Sequence, residues 1–205
     1  SGLPALPSAA AVDVLRRIPP RLSSGAALPP LGDDAAATIV MAVLAMDNSY
    51  LAVQGPPGTG KTYTGARVVA ALVNEHGWRV GVVAQSHSVV ENMLAGIVAA
   101  GVSPERVVKA KCQSPEPTWT AFPDAKSLAT HIGTSTTGYV VGGTAWDFTN
   151  PNCIGPGSLD LLVVDEAGQF CLANTIAVAT AASNLLLLGD PRQLPQVSQG
   201  THPQA

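Results

Sequence analysis

The feature that most constrains this chain is an octet, Gly55-Pro56-Pro57-Gly58-Thr59-Gly60-Lys61-Thr62, set between two apolar segments. Three glycines and two prolines in eight positions suit neither a helix nor a strand. They suit a loop whose glycines take up backbone conformations that other residues resist. In the pattern G-x-x-x-x-G-K-[ST], successive amides turn inward and form a nest for anionic oxygens. Residues 50–54, YLAVQ, predict a strand entering the loop, and residues 61–76 predict a helix closed by Gly77. The positive end of that helix adds to the cradle. Lys61 is expected to reach the β- and γ-phosphates of a nucleotide, and Thr62 to hold Mg²⁺ through its hydroxyl. Gly55, Pro56, Pro57, Gly58, Thr59 and Gly60 complete the cradle, with the two prolines stiffening it.

The rest of the chain alternates strands and helices. Residues 79–84 and 184–190 read as buried strands, as do GYVVGGT at 138–144 and LDLLVVDE at 159–166. Residues 87–100 read as a helix ended by Gly101, and residues 170–182 as another. This alternation predicts an α/β fold, a parallel doubly wound sheet with helices on both faces. Apolar residues make up 46 % of the 205, but aromatics only 4 %, so the core is built from Ala, Val, Leu and Ile. Residues 1–31 hold six prolines and read as a lead-in, with a short helix at 8–17 capped by Ser8. The globular unit is expected over 32–205, opening on a helix capped by Asp33 or Asp34 and running to about residue 46. Residues 103–137 carry four prolines and little periodicity. They are expected to form an irregular insert with one short helix near 124–131.

A phosphate cradle needs an acidic partner to do chemistry. Leu161-Leu162-Val163-Val164-Asp165-Glu166 supplies it at a strand end, although adjacent acids there also fit a solvated turn. Asp165 fits the magnesium role, and Glu166 that of orienting or deprotonating an attacking water. A third strand ends in Gly189-Asp190-Pro191-Arg192-Gln193-Leu194-Pro195. Ligands of such sheets sit beyond the carboxyl ends of the strands, where Asp190 and Gln193 would meet the other two motifs. Charge is sparse, at 12 % with a net −3, so no strongly basic footprint is present. Three cysteines, Cys112, Cys153 and Cys171, share no metal-binding spacing and fit a reducing, cytoplasmic setting. Apolar stretches such as 66–73 are too short to span a bilayer, and no signal peptide is visible; no membrane partner is expected.

Taken in order, GPPGTGKT, DEAGQ at 165–169 and GDPRQLP at 189–195 resemble motifs I, II and III of superfamily 1 helicases, closest to the RNA-decay and RecD-like type. The stretches VQGPPGTGKTYTGARVV, AQSHSVVEN, VGGTAW and VDEAGQ resemble bacterial proteins that join a RecB-like nuclease to such a helicase. The likeness covers residues 33–205. It implies a P-loop NTPase lobe of RecA-like fold that uses ATP and Mg²⁺ and works on single-stranded DNA or RNA. It also implies a second RecA-like lobe and a nuclease domain as partners in a longer protein. By position, Ser86 and His87 fall on the motif that touches the nucleic-acid backbone, and Thr144 on the next such motif. Gln169 and Gln193 are implied to link the γ-phosphate to the strand-binding face. Trp146 fits either a base-stacking role or, as is commoner beside a strand end, the core.

Two departures stand out. The family reads adenine with a Gln upstream of motif I, but no Gln precedes Gln54; Asp33 and Asp34 lie near its place. Motif III ends in Gln196 where Pro is usual. The second lobe supplies arginines to the transition state in such motors, and the chain reads as a piece of a longer protein. Alone it is expected to turn over very slowly. Two other readings share the octet: a P-loop ATPase acting on protein, and a nucleotide-gated scaffold for an attached nuclease.

Overall fold

A computed structural model describes residues 9–23, 27–30, 32–56 and 58–190. Among the described residues, seven strands form one parallel sheet: β1 (Tyr50–Gln54), β2 (Arg79–Val83), β3 (Val107–Ala110), β4 (Thr120–Phe122), β5 (Tyr139–Gly143), β6 (Leu159–Val164) and β7 (Ala182–Gly189). Their spatial order is β1-β7-β6-β2-β5-β3-β4, and every pairing is parallel. All carboxyl ends therefore share one edge. The described residues also form α-helices α1 (Ala10–Arg16), α2 (Ala35–Leu44), α3 (Lys61–His76), α4 (His87–Ala99), α5 (Ala125–Thr134), α6 (Ala145–Thr149) and α7 (Leu172–Val178).

The unbroken apolar runs follow from cover on both faces. Along β6, Leu161 and Val163 face a cluster with residues of α2, α3 and α4, while Leu162 and Val164 face one with residues of α1, α5, α6 and α7. That alternation is the period of two expected of a pleated strand. Capping explains where the helices start. Asp34, rather than Asp33, caps α2, its carboxylate accepting from the amides of Ala36 and Ala37. Ser86 caps α4 by accepting from the amide of Val89. Gly77, with φ of 67°, ends α3. The lead-in helix starts two residues later than predicted, with Ala9 at its N-cap position and no side-chain cap; Ser8 lies outside the described residues.

The region expected as an irregular insert is more regular than its sequence suggests. Its 107–110 segment is β3 and its 120–122 segment is β4, which extend the sheet beyond β5. The predicted short helix is α5. What holds the loop between β3 and β4 is a buried ion pair. Lys109 is fully buried and its Nζ donates to Glu91 Oε1 on α4 at 2.9 Å. The amides of Gln113 and Ser114 donate to the same carboxylate at 2.9 and 3.0 Å. Burial opposes the charge on Glu91, but these amide bonds and Lys109 together hold its carboxyl below the usual range. Among the described residues, no helix is long and apolar enough to cross a membrane.

Candidate nucleotide site at the carboxyl edge of the sheet

The octet joins the end of β1 to the start of α3. Its turn requires glycine at two positions: Gly58 and Gly60 have φ of 79° and 76°, in the left-handed region. Gly60 is also the N-cap residue of α3, so the amides of the helix start face into the loop. The Gly55 amide donates to the Gly189 carbonyl at 3.2 Å, which ties the loop to the end of β7. Lys61 folds over the loop. Its ammonium donates to the carbonyls of Gly55 and Pro56, the latter at 2.9 Å. Thr59 Oγ1 donates to the Pro56 carbonyl at 2.7 Å and helps to shape the turn. Pro57 lies outside the described residues.

The acidic pair arrives from β6, two strands away. The Asp165 amide bonds the Val83 carbonyl at 2.9 Å, carrying the β2–β6 ladder to the site. Asp165 is 3 % exposed. Its Oδ2 accepts from the Thr62 hydroxyl at 3.2 Å, and its Oδ1 from the Glu166 amide at 2.9 Å. Burial pushes the Asp165 carboxyl up, against the downward pull of these bonds and of Lys61. Glu166 is raised as well, first by burial and then by the Asp165 charge. Its φ of 53° is uncommon for a residue with a side chain, and such outliers gather at functional sites. A cavity of about 380 Å³ brings the pieces together, lined by Gly58, Gly60, Lys61, Thr62, Asp165 and Glu166, with Gly189 at its edge.

A hydroxyl and a carboxylate side by side suit Mg²⁺, which is commonly held by one or two protein carboxylates with phosphates and waters. The turn after β6 packs closely on β7. A Cβ at Gly168 would stand 2.7 Å from the Asp190 carbonyl oxygen, so that position admits only glycine without a shift. Gln169 is half-buried in this turn, its amide bonded to the Glu166 carbonyl at 2.8 Å. Asp190 is buried at the end of β7. Gln193 and the rest of that motif lie outside the described residues. Beside the cradle, a second cavity of about 470 Å³ opens between α2 and β1, lined by Ile39, Leu51, Gln54 and Thr59 among others. Asp34, near the place of the family's usual Gln, spends its carboxylate on capping α2 and on Arg67 at 3.0 Å.

The residues expected at nucleic acid lie along the same edge. Ser86 and His87 follow β2, and Thr144 follows β5. Each has local duties. Ser86 caps α4. His87 is its first residue, with a buried Nδ1 that finds no partner among the described residues. The Thr144 amide and hydroxyl both donate to Asp147 Oδ2 at 2.8 Å. Trp146 is not in the core; it is 78 % exposed. Sequence reasoning missed the buried pair of Glu91 and Lys109, because a charged residue inside a four-residue strand gives no apolar signal.

A parallel sheet, a glycine-rich phosphate cradle and an acidic pair at a neighbouring strand end define a P-loop NTPase domain of RecA-like fold. The chain belongs to the AAA domain family, which it matches over residues 33–204. It is similar to "DNA replication ATP-dependent helicase/nuclease JHS1" of Arabidopsis thaliana, at 28 % identity over 179 residues. That match covers 83 % of this chain and 13 % of the relative, so the chain spans a small part of the relative's length. Among solved structures it resembles the arterivirus nonstructural protein 10 helicase in complex with DNA. There the identity is 20 % and the TM-score 0.50, over 83 % of this chain and 33 % of that one. It also resembles a nuclease-deletion mutant of the Type ISP restriction-modification enzyme LlaGI in complex with a DNA substrate mimic. That likeness has 16 % identity and a TM-score of 0.54, over 80 % of this chain and 17 % of that one. The expected resemblance to a helicase ATP-binding lobe holds.

Proposed function

We propose that the chain is the ATP-binding lobe of a superfamily 1 helicase that couples ATP hydrolysis to movement along single-stranded DNA or RNA. The observation that carries this reading is the convergence of Lys61, Thr62, Asp165 and Glu166 on one cavity, with Thr62 and Asp165 in direct contact. The amides of Gly58 to Thr62 hold the phosphates, and Lys61 exchanges its loop carbonyls for their oxygens. Thr62 and Asp165 hold Mg²⁺, which when bound neutralises charge on the β- and γ-phosphates. Glu166, made more basic by burial and by Asp165, orients or deprotonates the attacking water. Gln169, Asp190 and Gln193 report the γ-phosphate to the strand-binding edge, where Ser86, His87 and Thr144 meet the backbone. The cavity between α2 and β1 takes the base.

In this reading residues 1–31 are a lead-in and 32–205 the lobe itself. A second RecA-like lobe and a nuclease domain belong to the longer protein, a view supported by the helicase/nuclease relative. The two relatives described with DNA or a DNA mimic support a nucleic-acid partner. The dispersed free cysteines support a cytoplasmic setting. The test is ATP hydrolysis by the longer protein with and without single-stranded DNA or RNA. Hydrolysis should rise with one of the strands and fall by at least about 100-fold in Lys61→Ala. Normal hydrolysis in that variant removes the site from the mechanism, and hydrolysis indifferent to both strands removes the motor.

A further inference from the structure

A large aromatic ring held in water needs a reason. Trp146 is 78 % exposed, whereas Phe148 on the same short helix is 2 % exposed. Two residues along a helix are about 200° apart, so packing Phe148 against the sheet turns Trp146 away from it. The helix is held in register by Thr144 and Asp147, whose mutual bonds occupy the Thr144 hydroxyl proton. The group that faces outward at this strand end is therefore the indole. The neighbouring strand end, after β3, is also built to present a side chain. Lys111 is exposed, with φ of 54°. Its amide donates to the Phe122 carbonyl at 3.0 Å, and its carbonyl accepts from Lys109 at 3.1 Å. The amides just beyond it are fixed on Glu91. Among the described residues the Lys111 ammonium has no ion pair.

The two side chains belong to one neighbourhood. Strands β5 and β3 are paired, so their carboxyl ends are about 4.8 Å apart. Lys111 and Asp147 both lie close enough to Cys153 to act on its thiol, which is pushed up to about 11, chiefly by burial. An exposed ring and a cation without an ion pair among the described residues, each following one of two paired strands at the edge that carries Ser86, His87 and Thr144, have the chemistry of a single-strand binder. Bases stack on the ring whatever their identity, and the cation meets the backbone. We propose that Trp146 stacks on a base of single-stranded nucleic acid and that Lys111 meets an adjacent phosphate, extending the strand path past β5 to β3. The inference rests on the strand-binding reading above; it takes the stacking role for Trp146 and adds Lys111, which lies in none of the motifs.

The experiment uses this chain with fluorescent oligothymidylate and oligouridylate, read by anisotropy, and with 5-iodouridine oligomers for photo-crosslinking. A crosslink is expected at Trp146. Trp146→Ala should weaken binding on the order of tenfold, and Trp146→Phe should restore most of it. Lys111→Ala should weaken binding less and lower the slope of log affinity against log salt by about 1. Leu172→Ala, another exposed apolar residue at the start of a helix on this edge, should change nothing. If Ser86→Ala weakens binding while Trp146→Ala does not, the strand path omits Trp146 and only this inference falls. The same holds if Leu172→Ala and Trp146→Ala act alike, the mark of a protein-docking patch. If the chain binds Mg–ATP but no oligomer, the strand-binding reading falls with the inference.

Discussion

Strand β6 carries an aspartate near each end, and the two have opposite fates. Asp160, near the amino end, meets Arg79 of β2 through both carboxylate oxygens, at 3.0 and 2.8 Å from the guanidinium, and accepts the Arg79 amide at 2.8 Å. Burial opposes its charge, but the bonds from Arg79 win and its carboxyl is lowered. Asp165, just past the carboxyl end, has a hydroxyl and an amide for partners and no ion pair among the described residues. Burial wins there and the carboxyl is raised. The same side chain on the same strand is satisfied at one edge and left short of positive charge at the other. The lesson is where this fold keeps its unspent electrostatics. Ligands of parallel sheets sit beyond the carboxyl ends, and the deficit at Asp165 is what a metal–phosphate group would fill.

The largest effect should come from making a satisfied acid resemble Asp165. Glu91 is nearly as buried as Asp165, at 8 % exposed, but has the Lys109 ammonium and two amides around it. Lys109→Met keeps the bulk and removes the cation, leaving a buried charge with amides alone. The expected loss is about 3–5 kcal/mol in urea unfolding at neutral pH. The Glu91 carboxyl should move from lowered to raised, so part of that loss should disappear on acidification. A loss under about 1 kcal/mol breaks the comparison, because it would mean that the cation matters little to buried acids in this fold.

The next effect runs the other way in stability. Asp165→Asn removes the charge that burial opposes. Raised carboxyls such as Asp165 and Glu166 contribute stability that is fully present below their unfolded values of about 4 and is lost as pH rises through their folded values. The variant should therefore melt higher than the parent at neutral pH, by roughly 2–4 °C for each kcal/mol recovered. The difference should close in acid. Its affinity for Mg–ATP should fall on the order of 100-fold, while binding of the nucleotide without metal falls far less. Calorimetric titration with and without Mg²⁺ checks this. A variant that melts lower and still binds Mg–ATP normally would make Asp165 a structural acid like Asp160.

How much of this was legible beforehand depended on run length and chemistry. The octet, β1 and α3 could be placed to within a residue, because glycines at 58 and 60 and an apolar run have few other uses. The acid pair could be paired with the octet in sequence, and the 3.2 Å contact of Thr62 with Asp165 is what that pairing requires. Strands β3 and β4 were hidden. They are four and three residues long, too short to show a period, and lie in a segment with four prolines; β4 pairs with β3, and β3 with β5. From the sequence Trp146 fits either base stacking or, as is commoner beside a strand end, the core. Its exposure is decided by helix phase, since Phe148 takes the inward position. Lys109 shows the limit most plainly: a charged residue can be buried outright when its partner comes from another element, and Glu91 lies on α4, 18 positions earlier.

The smallest effect tests the satisfied end of β6. The Asp160 side chain is about one-third exposed and that of Arg79 nearly half, so solvent screens their pair, although the two-pronged geometry keeps it above the usual surface value. Asp160→Asn should cost about 1 kcal/mol at low salt and less at high salt. Because the Asp160 carboxyl is lowered in the fold, its contribution is present above an unfolded value of about 3.9 and is lost as pH falls through the folded value. The melting difference between parent and variant should thus shrink in acid, as with Asp165→Asn, but with the variant melting lower at neutral pH instead of higher. Mg–ATP affinity should stay within about twofold, since the substitution lies at the edge of the sheet opposite the cradle. Opposite signs at the two ends of one strand, with only the carboxyl-end change reaching the ligand, would establish the division. A drop in nucleotide affinity from Asp160→Asn would instead mean that the register of β6 against β2, which Asp160 and Arg79 help to set, fixes the position of Asp165 from the far end of its strand.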